Sequence, residues 1–244
     1  MSEIKGVILA GGLGTRLRPL TLITNKHLLP VYDKPMILYP LDTLKRSGIA
    51  DIMMVCGREH ASHFMNFLGS GKSFGVKLSY AIQEKNDAGI ADALSYAEDF
   101  ADQRNVAVIL GDNIFEKAFL KEVNSFSAGS VGFFKKVPDP RRFGAPVFDK
   151  TGRRIIEIEE KPLRPKSPYA HTGFYLFDGG VFDVIRTLRP SARGQLEITD
   201  AVNQYIKTNQ FRFAFVKGFW QDAGTFGSLM AAANWFAKQA QSDK

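Results

Sequence analysis

The sequence predicts an α/β fold: a Rossmann-like, mostly parallel sheet flanked by helices, with a strand-rich portion inserted in its second half. Three observations carry that prediction. Short apolar, β-rich runs alternate with longer stretches of helical spacing through the first half. Glycine or aspartate closes several of those runs, as expected where a buried strand meets a ligand-bearing turn. Finally, 244 residues with 45% hydrophobic content are enough to bury a substantial core.

In order, residues 6–10, 52–56, 76–81 and 106–110 read as strands, and residues 36–46, 60–68 and 90–101 as the helices between them. Strands separated by helices imply right-handed βαβ units and a parallel sheet. The second half reads as strands at 131–137, 147–148, 154–159, 171–177 and 211–216, with helices at 180–188, 198–207 and 226–240. The Pro- and Arg-rich stretch 137–144 marks the seam between two halves, about 1–137 and 138–244, of one domain.

Composition excludes several classes. The single cysteine, Cys56, lies in an apolar run and leaves neither a disulfide framework nor zinc-ligand spacing, so a reducing compartment is expected. No window approaches the roughly 18 consecutive apolar residues of a membrane span. The apolar stretch 7–10 is too short for a signal-peptide core. A cytoplasmic protein with no membrane partner is therefore expected. The net charge of +7 is scattered rather than gathered into a polybasic run, which argues against a nucleic-acid partner. Local placement says more: between Glu3 and Asp33 the chain has no acid, while Lys5, Arg16, Arg18 and Lys26 fall there. That stretch suits an anion.

The segment Leu9-Ala10-Gly11-Gly12-Leu13-Gly14-Thr15-Arg16-Leu17 follows the first strand directly. Glycines there let backbone N–H groups approach phosphate oxygens. The dinucleotide fingerprint is excluded because Leu17 stands where its third glycine belongs. A tight turn alone would explain the glycines but not Arg16 and Lys26 beside them. Gly69-Ser70-Gly71-Lys72-Ser73 resembles the end of a P-loop, yet Asn66 replaces the first glycine and the segment runs from helix to strand, so it reads as a plain turn. Asp112 closes the run 106–111, where a magnesium ligand would meet a triphosphate. Asp222 lies between another strand and the last helix. Asp112 alone reads about equally well as a turn or capping residue, and Asp222 alone reads better as one; as a pair they could hold one hard cation.

These residues resemble a known family. Leu9 to Leu17, followed by Asn25-Lys26-His27-Leu28-Leu29-Pro30-Val31-Tyr32-Asp33-Lys34-Pro35, is similar to the N-terminal signature of the sugar-phosphate nucleotidyltransferases, most closely the glucose-1-phosphate thymidylyltransferases. The resemblance continues through Gln83, Gly89-Ile90-Ala91-Asp92-Ala93, Gly111-Asp112-Asn113, Arg142-Phe143-Gly144, Glu159-Glu160-Lys161-Pro162, Thr172-Gly173, 192–200 and 219–225. It implies a magnesium-dependent enzyme acting on a nucleoside triphosphate and a sugar 1-phosphate. By the same resemblance Leu9, Gly11, Gly12, Gly14, Thr15 and Arg16 hold the triphosphate, and Lys26 contacts phosphate at the reacting centre. Gln83 and Gly89 face the base, Asp112 and Asp222 bind Mg2+, and Gly144, Glu160, Lys161 and Thr172 contact the sugar phosphate. Arg16, Lys26 and Lys161 are the expected catalytic cations.

Two departures from the family pattern bear on this. The segment Glu84-Lys85-Asn86-Asp87-Ala88 lacks the proline many relatives carry after the glutamine, and the chain ends near Lys244, where many relatives continue into a helical extension that helps form an inhibitor site. Feedback regulation is accordingly expected to be weak or absent. A homo-oligomer is the family's common state. Two other readings stand beside the main one, a UTP-using uridylyltransferase and a catalytically silent nucleotide-sugar-binding regulatory subunit. On the main reading, Asp112→Asn and Lys26→Ala are expected to fold normally and lose most turnover.

Overall fold

A computed structural model of the protein describes residues 4–85 and 87–242; Met1 to Glu3, Asn86, Asp243 and Lys244 lie outside the described residues. Of the turn 84–88, Asn86 is thus not described, nor is the chain end at Lys244. Strand β1 (Lys5–Ala10) is buried from Gly6 onward. A ladder of β2 (Pro30–Val31) and β3 (Lys34–Pro35) precedes α1 (Leu38–Arg46), β4 (Asp51–Gly57), α2 (Ala61–Leu68) and β5 (Lys77–Gln83). Then come α3 (Ile90–Ser95), α4 (Glu98–Ala101), β6 (Val106–Leu110), β7 (Asn113–Phe115), α5 (Leu120–Asn124) and β8 (Ser130–Lys136). The remainder comprises β9 (Gly144–Phe148), β10 (Ile155–Glu160), β11 (Tyr169–Phe177), α6 (Val181–Thr187), α7 (Ile198–Lys207), β12 (Phe211–Phe215), β13 (Trp220–Asp222) and α8 (Phe226–Ser242).

One seven-stranded sheet runs in the order β12-β8-β11-β6-β1-β4-β5. β1 is parallel to β4 and β6, β4 to β5, and β12 to β8, while β11 runs antiparallel to both its neighbours. β11 is therefore the single reversed strand. The alternation of side chains along β1 sends Ile8 and Ala10 into the core under α1 and α2, and Val7 and Leu9 into the core under α3, α6 and α7. A strand covered on both faces must be apolar throughout, which is why β1, β4 and β6 read as continuous runs.

The path places the site. From β1 the chain moves to β4 and β5 on one side, then returns to β6 on the other. The strand order reverses between β1 and β6, and the crevice beyond their carboxyl ends is where an open α/β sheet receives ligands.

Two expectations change. The single helix at 90–101 is two, because the N–H of Ala97 bonds to Leu94 O at 2.9 Å and the chain tightens there. The pairs β2–β3 and β13–β7 are additional. Gly69 closes α2, and the turn that follows, with Lys72 exposed in it, leads into β5, so the P-loop look-alike is a helix-to-strand turn. Among the described residues no helix is long and apolar enough to cross a membrane.

Candidate active site

β1 delivers the glycine segment to the switch point. Gly14 adopts a left-handed φ of 60°, and a methyl group on it would lie 2.9 Å from Thr21 Cγ2 and 3.2 Å from Lys26 Cβ, so glycine is required on both counts. Thr21 Oγ1 donates to Gly14 O at 2.9 Å and pins the loop. Arg16 is presented from a single helical turn anchored by fully buried Leu17. Lys26 opens a similar turn, whose Asn25 Oδ1 accepts from the His27 N–H at 2.9 Å and lies 2.7 Å from His27 Nδ1. Burial, then the Lys26 charge, pushes the His27 pKa down to about 3.

The acidic pair forms opposite these cations. Asp112 follows β6, and the antiparallel pairing of β7 with β13 sets Asp222 against Asn113, one residue away. The Ala223 N–H closes the junction on Asp112 O at 2.9 Å. A methyl group on Gly224 would lie 2.8 Å from Arg16 Nη2, 2.8 Å from Asp222 Oδ1 and 3.4 Å from Asp112 Oδ2, so all three groups crowd one point. Lys26 Nζ sits 2.5 Å from Asp112 Oδ2. The two carboxyls titrate in opposite directions. Burial opposes ionisation of Asp112, but Lys26 and the hydrogen bonds from Lys26 and Asn113 outweigh it and hold the carboxyl below its ordinary range. Burial and the Asp112 charge raise Asp222, against smaller opposition from Lys26, the Gly224 N–H and Arg16. Burial and mutual repulsion thus act on the two carboxyls together, and Lys26 offsets them chiefly at Asp112.

Asn113 fixes this geometry. Its Nδ2 donates 3.1 Å to Asp112 Oδ1, and its Oδ1 accepts from the Gly173 N–H and from Trp220 Nε1, both at 2.8 Å.

Two walls complete a crevice of about 650 Å³, a size suited to a small-molecule ligand. On one side Gln83 ends β5 and Gly89 precedes α3; a methyl on Gly89 would meet Leu196 O at 2.3 Å, and its φ is 106°. On the other, the register of β9 and β10 sets Gly144 opposite Glu160. Glu160 accepts from Thr199 Oγ1 at 2.6 Å and Arg193 Nη2 at 3.0 Å, with Lys161 Nζ at 3.2 Å. Arg193 also bonds Glu197 at 2.8 Å. Glu160 is thus the centre of a network rather than half of a lone surface pair.

Leu9, Gly11, Gly12, Gly14, Thr15, Arg16, Lys26, Gln83, Gly89, Asp112, Gly144, Glu160, Lys161 and Asp222 all line this crevice. Thr172 does not: it is fully buried and donates to Phe133 O at 2.9 Å. Along β11 the crevice face belongs to His171, Gly173 and Tyr175, and strand alternation turns Thr172 away. Sequence reasoning assigns no role to Asn113, Arg193, Glu197, Thr199 or His171, although each lies within or beside a quoted motif. Arg193 and Glu197, four residues apart just before α7, were the detectable signal.

Known proteins resemble this chain in sequence and in fold. The nucleotidyl transferase family signature matches residues 5–239. The chain is 44% identical over 237 residues to the glucose-1-phosphate thymidylyltransferase of Neisseria meningitidis serogroup A, covering 95% of this chain and 82% of that protein. It is 41% identical over 238 residues to the enzyme of the same name from Actinoplanes sp., covering 95% and 78%. A Bacillus anthracis protein crystallised with sucrose, a candidate glucose-1-phosphate thymidylyltransferase, superposes with a TM-score of 0.90 at 48% identity, covering 95% of this chain and 94% of that one. A UDP-glucose pyrophosphorylase complexed with UDP-glucose shares the fold, with a TM-score of 0.85 at 23% identity over 97% and 99%. With the cations of its first loop and the aspartates of β6 and β13 gathered at one switch point, the chain belongs to the nucleotidyl transferase family and is a nucleotidyltransferase.

Proposed function

We propose that the enzyme transfers a nucleotidyl group from dTTP to glucose 1-phosphate, releasing pyrophosphate, with magnesium as cofactor. The observation that carries this reading is the meeting of Arg16, Asp112 and Asp222 around Gly224, with Lys26 on Asp112. The names of the Neisseria and Actinoplanes relatives support the choice of base and sugar.

The residues present fit magnesium. Asp112 and Asp222 offer hard carboxylate oxygens to one point, and burial with the neighbouring Asp112 charge raises Asp222, a penalty that a divalent cation between them would relieve. Magnesium commonly takes one or two carboxylates and completes its shell with phosphate oxygens and water. That suits a site where no group of three His, Cys, Asp or Glu is placed for a metal among the described residues. Held by Asp112 and Asp222, the ion would neutralise charge on the phosphates.

The chain's own residues do the rest. A phosphate oxygen of the sugar 1-phosphate attacks the α-phosphorus, in line with departing pyrophosphate. No general base is needed, since a phosphate monoester has its second pKa near 6 and is largely dianionic at neutral pH. The difficulty is the approach of two anions. The backbone of Gly11 to Gly14 cradles the triphosphate, Arg16 and Lys26 offset its charge, and Lys161 meets the sugar phosphate. Glu160, an acceptor, takes sugar hydroxyls. Gln83 and Gly89 face the base. The test is pyrophosphate release over four nucleoside triphosphates crossed with several hexose 1-phosphates. The highest kcat/KM is expected for dTTP with glucose 1-phosphate; release in no combination would overturn the reading.

A further inference from the structure

The side chain of Gln83 is buried at the end of β5 and lines the crevice. Its Nε2 donates 2.8 Å to Asp92 Oδ2, in the first turn of α3. Its Oε1 faces the glycine loop, where a methyl on Gly11 would lie 2.6 Å away. Asp92 itself does not line the crevice. It is held from behind: Ser95 Oγ donates to its carbonyl at 2.7 Å, and the preceding Ala91 N–H bonds Leu196 O at 3.1 Å. A carboxylate only accepts, whereas an amide donates from nitrogen and accepts on oxygen. Asp92 therefore admits the Gln83 amide in one of its two orientations, since the other sets two acceptors against each other.

We propose that Asp92 is a specificity-determining positioning residue. By locking the Gln83 amide, it makes the site select bases that present a ring N–H beside a carbonyl, as thymine and uracil do, over cytosine, which presents an amino group beside a bare ring nitrogen. The inference rests on the proposed function in one respect, that Gln83 faces the base. With the amide locked, Oε1 accepts from the ring N–H of thymine, and the free N–H on Nε2 donates to its carbonyl. Cytosine in the same pose sets its ring lone pair against Oε1 and its amino hydrogens against an N–H. Only a turned amide pairs with it, and Asp92 prevents the turn. Selectivity then comes from rejecting the wrong partner as much as from binding the right one.

Asp92→Asn tests this, because its amide can accept or donate and so releases the lock; Asp92→Ala removes the partner, and Asp92→Glu restores an acceptor. For each protein kcat/KM is measured with dTTP, UTP and dCTP, and Kd for the same nucleotides by calorimetry without sugar phosphate. The dTTP-to-dCTP ratio is expected to fall by about 10- to 100-fold in the Asn and Ala variants, the scale of a two-point base contact. The change should lie in KM and Kd rather than kcat, since a base contact is made equally in ground and transition states. Asp92→Glu should recover much of the ratio, and UTP should follow dTTP throughout. A merely structural role would weaken all three nucleotides by one factor, and an unchanged ratio with turnover intact overturns the inference while leaving the reaction standing. Should no protein turn over, yet the Kd ratio collapse in Asp92→Asn, the proposed reaction fails and the lock stands.

Discussion

Lys26→Ala probes the crevice more severely than the sequence suggests. Lys26 and Asp112 form an ion pair with side-chain exposures of 15% and 9%, and the carboxyl of Asp222 crowds the same Asp112 oxygen beside Gly224. Removing one partner of such a pair leaves an uncompensated buried charge, at a cost of roughly 3–5 kcal/mol. Asp112 can escape part of that by taking up a proton, so about 3 kcal/mol is expected at neutral pH. The sign with pH follows. In the parent, Asp112 titrates below its ordinary 3.8, so its pairing stabilises above that value and is lost as pH falls through the folded pKa. Without Lys26, burial and Asp222 raise the carboxyl, and the variant loses stability as pH rises. The gap between parent and variant should widen from mildly acidic to neutral pH in urea denaturation. Magnesium at about 100 times its Kd should return about 2.7 kcal/mol to the variant. Turnover should fall about 10² to 10³-fold from the loss of a preorganised cation. A stability loss under about 1 kcal/mol, constant with pH, would refute the assignment of Lys26 as the counterion of Asp112. The expectation that this variant folds as well as the parent gives way to the observed burial of the pair.

Three further outcomes are expected. A methyl on Gly173 would lie 2.5 Å from Asn113 Cγ, whereas one on Gly227 meets nothing within 4 Å; Gly173→Ala should lose about 1–3 kcal/mol in urea denaturation, or more once Asn113 is displaced, and Gly227→Ala should be neutral or stabilising by up to about 1 kcal/mol. Burial pushes both His27 and His171 down to about 3 from 6.5, the former aided by Lys26. The unfolded chain therefore binds two more protons below pH 6.5, and stability should drop by roughly 2.7 kcal/mol per pH unit toward acid; denaturation of His171→Asn should show about half that slope from these groups. Lys72→Ala, in the exposed turn after α2, should leave pyrophosphate release unchanged, and a large loss would revive the P-loop reading of that segment.

Legibility in the sequence followed locality. β1, β4 and β6 are readable because a strand covered on both faces is apolar along nearly its whole length, a property carried by each residue separately. β7 and β13, three residues each, were not, because neither exists without a partner more than 100 positions away, as Trp220 pairs with Phe115. The site divides in the same way. Arg16, Lys26 and Asp112 stand out as charges beside glycines at the end of an apolar run. Asn113 has no such signal, since its role lies in facing Gly173 and Trp220 at once. Thr172 was misplaced because which residue of β11 faces the crevice depends on the register of the sheet, and a one-residue difference exchanges the faces.

The opposite shifts of Asp112 and Asp222 give Lys26 a role before any substrate arrives. Two buried carboxyls this close do not both ionise unaided, and burial alone would protonate the pair. With Lys26 in place, Asp112 is held charged although burial and the Asp112 charge raise Asp222, so an arriving cation meets one carboxylate already ionised. Arg16 cannot substitute, because it lies by Gly224 on the Asp222 side and lowers that carboxyl only as the last of several influences. Lys26 therefore acts on stability through Asp112 and on turnover through phosphate. Both effects come from the charge rather than the stem: a long neutral side chain, Lys26→Met, keeps the stem's packing yet supplies no charge, and should reproduce both losses of Lys26→Ala.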